Sequence, residues 1–163
     1  MTPRRLAIFC AVLLLPCGVV QAADAPTGEL SLTGMVAHPQ QFDLVKLRAL
    51  PSQDVHVMFD TERGPEQAEF TGVALWALLG EAGGIDDKTK VAVLRHTIRV
   101  TGRDGYFVVL STGEIAPDFG AKPALIAYQR AGEAAGASGF RLVMPGDKRG
   151  GRYVRDVVAI DVE

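Results

Sequence analysis

Thiols are scarce in this chain of 163 residues, which has only two cysteines, Cys10 and Cys17. Both fall within residues 1–22, which have the pattern of a removable leader, so we expect the mature chain to have no cysteine. A chain without thiols forms no disulfide, has no thiolate nucleophile and offers no thiolate ligand to a metal ion. Its function must therefore depend on other side chains or on a bound molecule.

A large positive charge is also missing, because the formal net charge is −2 at pH 7. Loss of Arg4 and Arg5 with the leader would make the mature chain more acidic still. Nucleic acid is therefore not an expected partner, since its binding depends on neutralising phosphates. The three histidines show no metal-ligand spacing and the serines lack a nucleophile-elbow context. The sequence predicts neither a metal site nor a hydrolase triad.

The N-terminal segment follows the plan of a secretory signal peptide. MTPRR is positively charged, LAIFCAVLLLPCGVV is apolar, and small residues leading to Ala22 form a cleavage site. The apolar stretch is too short for a stable membrane span. We expect cleavage after about Ala22, with residues 23–163 forming a single domain that is exported to a bacterial periplasm and is not itself embedded in the membrane.

The remaining chain mixes strand and helix patterns without strict alternation. Strand patterns occur in GELSLTGMV, DVHVMFDT, LRHTIRVTG, YFVVLS and ALIAYQ, and a closing pair of strands surrounds GDKRGG. FDLVKLRALP predicts a short helix with Asp43 as N-cap, and EFTGVALWALLGEAGG predicts a helix with Trp76 on its apolar stripe. Strands outnumber helices, so the predicted class is α+β with a mixed sheet and short helices.

Two polar segments carry further predictions. STGEI has the spacing of a capping box from Ser111 to Glu114, which predicts the start of a short helix. TERGPEQAE, which follows the DVHVMFDT strand, is predicted to be a polar loop.

The segment GDKRGGRYVR near the end of the chain combines glycines with basic residues. Glycine lets a backbone approach an anion closely, and arginine binds planar acceptors through paired hydrogen bonds. An anion cradle is one interpretation of the segment. The alternative is an ordinary hairpin turn whose glycines supply positive φ angles and whose charges face water.

Five motifs in one order make the chain similar to the molybdopterin-binding domain of the sulfite oxidase superfamily. They are LTGMV, FTGVALWALLGEAG, VTGRDGYFVVLS, APDFG…ALIAYQ and RLVMPGD…GGRYVRDVVAI. The resemblance implies that Arg141 and the residues Tyr153, Val154 and Arg155 line a pocket for a pterin or its phosphate. It also places Thr101 near that pocket.

A pterin ring also wants aromatic neighbours and a carboxylate or amide facing its 2-amino edge. Asp104 is a predicted cofactor-binding residue that could face the 2-amino edge. Further candidates for contact with the ring are Tyr106, Asp118 and Phe119. The alternative interpretation is that Asp104 serves as a turn residue and Phe119 belongs to the core.

The chain departs from the family pattern where catalytic members carry the cysteine that holds molybdenum. Phe59 or Asp60 stands at about that place. The sequence therefore resembles small periplasmic proteins of this fold that lack the cysteine, bind a pterin without molybdenum, perform no catalysis and relay the signal to a membrane-anchored sensor controlling cyclic-di-GMP. Two alternatives stay open: a molybdopterin-dependent oxidoreductase of the sulfite oxidase type, and an adaptor that has lost the pocket.

Overall fold

The computed structural model describes residues 28–163, so the predicted signal peptide lies outside the described residues. Nine strands follow one another in the order β1 (Glu29–Gly34), β2 (Gln40–Asp43), β3 (Ser52–Thr61), β4 (Gly64–Ala74), β5 (Thr97–Gly102), β6 (Phe107–Ser111), β7 (Leu125–Arg130), β8 (Arg141–Val143) and β9 (Val157–Val162). Three α-helices lie between them: α1 (Leu44–Ala49), α2 (Leu75–Glu81) and α3 (Thr112–Ile115). Two 3₁₀ turns span Ala92–Leu94 and Gly150–Arg152.

The strands form two sheets rather than one. The five-stranded sheet has the order β2-β1-β9-β5-β6, and it is mixed because β1 and β9 run parallel while its other pairs are antiparallel. The four-stranded sheet has the order β3-β4-β7-β8 and is antiparallel throughout. Mixed strand pairing with short helices agrees with the predicted α+β class.

Helix α1 begins as its sequence predicts, but the prediction for α2 is wrong at its start. Residues 69–74 of EFTGVALWALLGEAGG belong to β4, where they pair with β3 and β7, and α2 begins only at Leu75. Asp43 caps α1, because its side chain accepts a hydrogen bond of 2.8 Å from the backbone N–H of Lys46. Helix α2 is followed by Gly83 and Gly84, both with positive φ. The predicted capping box is not formed, since Ser111 makes no side-chain cap bond at the start of α3.

The prediction of a polar loop at TERGPEQAE is wrong, because β3 and β4 form one long hairpin with only Glu62 and Arg63 in its turn. Strand β7 pairs with β4 only from Phe70 onward. Residues 56–69 therefore form a two-stranded projection beyond the rest of the sheet, called the ribbon below. In the β4 part of the ribbon, residues 64–69, no side chain is buried, so this part of the sequence lacks the alternation that marks a strand packed on a core.

The glycine-rich segment is not the turn of a simple hairpin. Strand β8, which precedes it, pairs with β7 in the four-stranded sheet, and β9, which follows it, lies between β1 and β5 in the five-stranded sheet. The segment between them, residues 144–156, is therefore a connection between the two sheets.

A continuous hydrophobic core joins the sheets and holds this connection in place. It contains inward-facing residues of both sheets, such as Leu32, Val100, Ile126 and Leu142, each almost fully buried. Among residues 28–163, no helix has the length and apolar character needed to cross a lipid bilayer.

Candidate functional site

The connection between β8 and β9 borders an open cleft of about 520 Å³. The cleft is lined by Phe59, Asp60, Thr61, Glu62, Glu66, Arg141, Arg149, Gly150, Gly151, Tyr153 and Arg155. We call it the arginine cleft. One wall comes from the ribbon, and the other comes from the start of β8 and from the connection, so the cleft lies where the two sheets are linked.

Two stacked aromatic rings lie at the base of the cleft. The ring centroids of Phe59 and Tyr153 are 4.3 Å apart with an interplanar angle of 26°, and both side chains are buried. A Cβ atom at Gly150 would lie 3.0 Å from the Phe59 ring, so glycine allows the connection to lie close over it. Burial, reinforced by the negative charge of Asp147, raises the pKa of the Tyr153 hydroxyl to about 12.

Two hydrogen bonds to backbone carbonyls attach the connection to β3 and to the residue before β6. The N–H of Asp60 in β3 donates to the carbonyl of Lys148 at 2.9 Å. The hydroxyl of Tyr106, just before β6, donates to the carbonyl of Gly151 at 2.6 Å. The glycine-rich segment is therefore held from the ribbon side and from the edge of the five-stranded sheet.

Three arginines of the cleft, Arg141, Arg149 and Arg155, form no salt bridge with any residue in the described part of the chain. Arg141 is half-buried, with its guanidinium carbon 5.4 Å from the Phe70 ring centroid. Burial lowers the pKa of Arg141, and the positive charges of Arg155 and Arg130 lower it further. A bound anion would offset this unfavourable charge.

Another arginine, Arg152 of the glycine-rich segment, has a different role. It donates to Asp147 at 2.7 and 2.6 Å and to Glu114 at 2.9 Å, while Lys122 donates to Asp147 at 2.8 Å. These hydrogen bonds, above all those from Arg152, lower the pKa of Asp147. Arg152 therefore anchors the connection, and the expectation that it belongs to the anion cradle is not supported by the geometry.

The ribbon wall of the cleft is acidic. It carries Asp60, Glu62 and Glu66, of which the first two are exposed and Glu66 is half-buried. Arg130 Nη2 donates to Glu66 Oε1 at 2.9 Å. The cleft therefore has carboxylates on one side and guanidinium groups on the other.

The structure brings together three of the six predicted cofactor-binding residues, since Arg141, Tyr153 and Arg155 all line the arginine cleft. Val154 lies between two of them in sequence, but its side chain is fully buried in the core. Thr101 is paired with Phe107 and Ala159 in the five-stranded sheet and does not line the cleft.

Asp104 does not line the cleft either. Its Oδ1 accepts a hydrogen bond of 2.9 Å from the backbone N–H of Tyr106, which is the geometry of a turn residue. The further candidates Asp118 and Phe119 lie outside the cleft lining, and Phe119 is 48% exposed, so it is not a core residue as the alternative interpretation held. Trp76 packs partly buried against the core, as its helical stripe predicts.

Sequence reasoning missed two acidic residues and a basic residue of the site. The sequence predicts a polar loop at Glu62 and Glu66, and it predicts that Arg130 begins the small-residue loop RAGEAAGASG, whereas the structure places Arg130 at the end of β7. The signal that could have found them is the strand propensity on both sides of the Glu62–Arg63 turn, which would fold the acidic segment back over Phe59.

Molybdenum does not fit the residues at this site well. Phe59 and Asp60 are the two residues at about the place of the cysteine in the enzymes that the motifs resemble, and of these Phe59 is stacked on Tyr153 and has no donor atom. Asp60 offers oxygen, whereas molybdenum in the catalytic enzymes that the motifs resemble is expected to be held by soft sulfur. Within residues 28–163, no three His, Cys, Asp or Glu side chains converge as metal ligands.

Comparison with known proteins finds a likeness in structure and none in sequence. No protein-family model and no curated protein sequence matches the chain. A similar solved structure is that of the sulfane dehydrogenase SoxCD from Paracoccus pantotrophus, with a TM-score of 0.66, 20% identity and coverage of 86% of this chain and 40% of that chain. This chain therefore spans less than half of that enzyme chain. The likeness supports, at the level of fold, the sulfite-oxidase-like architecture that the sequence motifs imply.

Proposed function

We propose that this protein is a pterin-binding module with a sulfite-oxidase-like fold that performs no catalysis of its own. The observation that carries the proposal is the arrangement of Arg141, Arg149 and Arg155 around one cleft, where none of them forms a salt bridge with a described residue. Arg141 is half-buried, so its charge is costly to the fold without a salt bridge, whereas Arg149 and Arg155 are exposed and free to contact a ligand. Guanidinium groups gathered in a cleft are typical of a site that receives an acceptor-rich or anionic ligand.

The size and chemistry of the cleft suit a pterin. Its volume of about 520 Å³ lies within the range of small-molecule sites. The guanidinium groups would donate to ring acceptors or to a phosphate on the side chain of the pterin. The motifs resemble a molybdopterin-binding domain, which supports a pterin-related ligand. The fold likeness to SoxCD agrees with that resemblance.

The proposal favours a pterin without molybdenum over the oxidoreductase alternative. Phe59, one of the two residues at about the place of the sulfur ligand, lines the cleft, stacks on Tyr153 and offers no donor atom to a metal ion. Asp60 lines the cleft and is the residue that would supply oxygen if a metal were held there.

A relay role completes the proposal. The leader pattern of residues 1–22 supports export to a periplasm, and the resemblance to small exported pterin-binding proteins supports a membrane-anchored partner with a periplasmic sensor domain. That partner would control cyclic-di-GMP on the other side of the membrane. The role of this chain would be to change its interaction with the partner when a pterin is bound.

The proposal is tested by titrating the exported protein with oxidised and reduced pterins, followed by pterin fluorescence. Saturable binding is expected, and Arg155→Gln should weaken it by about tenfold or more, since a charge-assisted hydrogen bond contributes roughly 1.5–3 kcal/mol. Arg48→Gln is the matched control, because Arg48 is an exposed arginine of α1 far from the cleft lining.

Metal analysis of the same preparation separates the alternatives. Stoichiometric molybdenum would contradict the proposal and favour the oxidoreductase. The absence of binding to every pterin tested, in a folded protein, would favour an adaptor without a ligand.

A further inference from the structure

The acidic wall of the arginine cleft has no role in binding an anion. Of its three residues, Glu66 differs from Asp60 and Glu62 in burial and in its hydrogen bond. Glu66 is half-buried, with 30% of its side chain exposed, whereas Asp60 and Glu62 are exposed. Arg130 holds Glu66 Oε1 at 2.9 Å, and no residue in 28–163 donates a hydrogen bond to Oε2. Its carboxylate is therefore fixed in place with acceptor capacity left over.

Glu66 lines the cleft from the same face of the ribbon as Phe59. Glu66 lies directly opposite Phe59 in the β3–β4 register, and directly opposed residues lie on the same face of a hairpin. Its negative charge also acts on Arg141 across the cleft, where it favours the charged guanidinium. A ligand resting in the cleft would therefore meet an oriented carboxylate at one edge and guanidinium groups at the other.

The ring of a pterin has a matching polarity. One edge presents two neighbouring donors, the ring N3–H and the 2-amino group, and the other atoms around the ring are mostly acceptors. Two neighbouring donors pair with the two oxygens of one carboxylate, in the way that an arginine fork does. A ring that carries a carbonyl in place of the 2-amino group would direct an acceptor at the carboxylate and would be repelled.

We propose that Glu66 is a specificity-determining residue that selects ligands with this two-donor edge, and that Arg130 is the residue that positions it. The inference rests on the proposed function, because it concerns the orientation of a pterin in the arginine cleft. It predicts that the carboxylate reads the amino edge while Arg141, Arg149 and Arg155 contact the opposite side of the ligand.

The test compares pterin with lumazine, which has a carbonyl in place of the 2-amino group, on the full exported protein. The wild type should bind pterin at least about tenfold more tightly than lumazine, because a buried hydrogen bond to a charged group is lost with lumazine. Glu66→Gln should weaken pterin binding by about tenfold or more and remove most of the preference. Glu69→Gln is the control, since Glu69 is on the same strand but lies outside the cleft lining.

The outcomes separate this inference from the proposed function. Tight binding of pterin and lumazine alike, or a preference that survives Glu66→Gln, would overturn the role of Glu66 and leave the pterin-binding proposal standing. A lack of binding to both ligands would overturn both. The pterin-to-lumazine ratio of the wild type needs no variant, so the inference can be refuted even if Glu66→Gln does not fold.

Discussion

Replacing Arg141 by methionine should make the protein more stable while it weakens pterin binding. Methionine keeps the unbranched apolar stem of arginine, although it gives up the contact of the guanidinium carbon, 5.4 Å from the Phe70 ring centroid. The substitution removes a half-buried charge that has no salt bridge in residues 28–163 and that is repelled by Arg155 and Arg130. A gain of about 1 kcal/mol in the free energy of unfolding is expected, as for other binding-site charges whose removal relieves desolvation.

The matched control is Arg152→Met, in which the same chemical change should have the opposite effect on stability. Arg152 makes three hydrogen bonds of 2.6–2.9 Å to Asp147 and Glu114, so its loss leaves two carboxylates short of partners. Hydrogen bonds between charged groups contribute roughly 1.5–3 kcal/mol each when buried. Because the Arg152 side chain is 31% exposed, we discount the total to a loss of about 2 kcal/mol.

Thermal unfolding followed by circular dichroism at pH 7 measures both effects. A change of 1 kcal/mol shifts Tm by roughly 3 °C in a domain of this size, so Arg141→Met should raise Tm by about 3 °C and Arg152→Met should lower it by about 6 °C. Fluorescence titration with a pterin should show at least about a tenfold loss of affinity for Arg141→Met. Equal destabilisation by the two substitutions, or unchanged affinity in Arg141→Met, would refute the assignment of Arg141 to an unpaired binding site.

Three further predictions concern pH and backbone space. Burial raises the pKa of Tyr153 to about 12. The neutral hydroxyl therefore stabilises the fold below about pH 10, and this contribution is lost as the pH rises through about 12. Tyr153→Phe should make Tm depend less on pH over that window. The backbone N–H of Thr89, which donates to the Asp87 carboxylate, is the main cause that lowers the pKa of Asp87 to about 2. The stability that this carboxylate contributes is present above about pH 4 and is lost as the pH falls through about 2. Asp87→Asn should therefore show a smaller loss of stability in acid. In urea unfolding, Gly72→Ala should cost about 3 kcal/mol because its Cβ would overlap the backbone of β7, whereas Gly80→Ala, with open space in α2, should gain about 0.5–1 kcal/mol.

The elements that sequence predicts well are those whose cause is local. Asp43 begins α1 because its side chain reaches the N–H of Lys46, three residues away, and both residues are visible in the sequence. The strands β5 and β6 follow from alternation around a short turn. Gly83 and Gly84 end α2 because positive φ is easily reached only by glycine.

The features that sequence does not reveal depend on distant partners. The strands β8 and β9 belong to different sheets, which their sequences RLV and VVAIDV do not predict. The apolar pattern of a strand indicates which side chains are buried, but it does not indicate which strand lies beside it. Ser111 and Glu114 have capping-box spacing, but Glu114 instead pairs with Arg152, which lies 38 positions away in sequence. A local motif is overridden when a charged partner from another element offers a stronger interaction.

The candidate site divides along the same line. Arg141, Tyr153 and Arg155 were predicted from a resemblance that spans the chain, and the fold brings them to one cleft. Glu66 and Arg130 were not predicted, since their pairing depends on how β4 lies beside β7. Long-range register decides which charges face each other, and a single sequence does not state that register.

The connection between β8 and β9 has a consequence for how occupancy of the cleft would be sensed. It joins the two sheets, and the cleft beside it takes residues from the ribbon on one side and from the lead into β9 on the other. A molecule bound there would link the two sheets, which otherwise contact each other mainly through apolar packing. Its binding free energy would then oppose the opening of the whole domain, so backbone amides of β7 and β9 would exchange with solvent more slowly together.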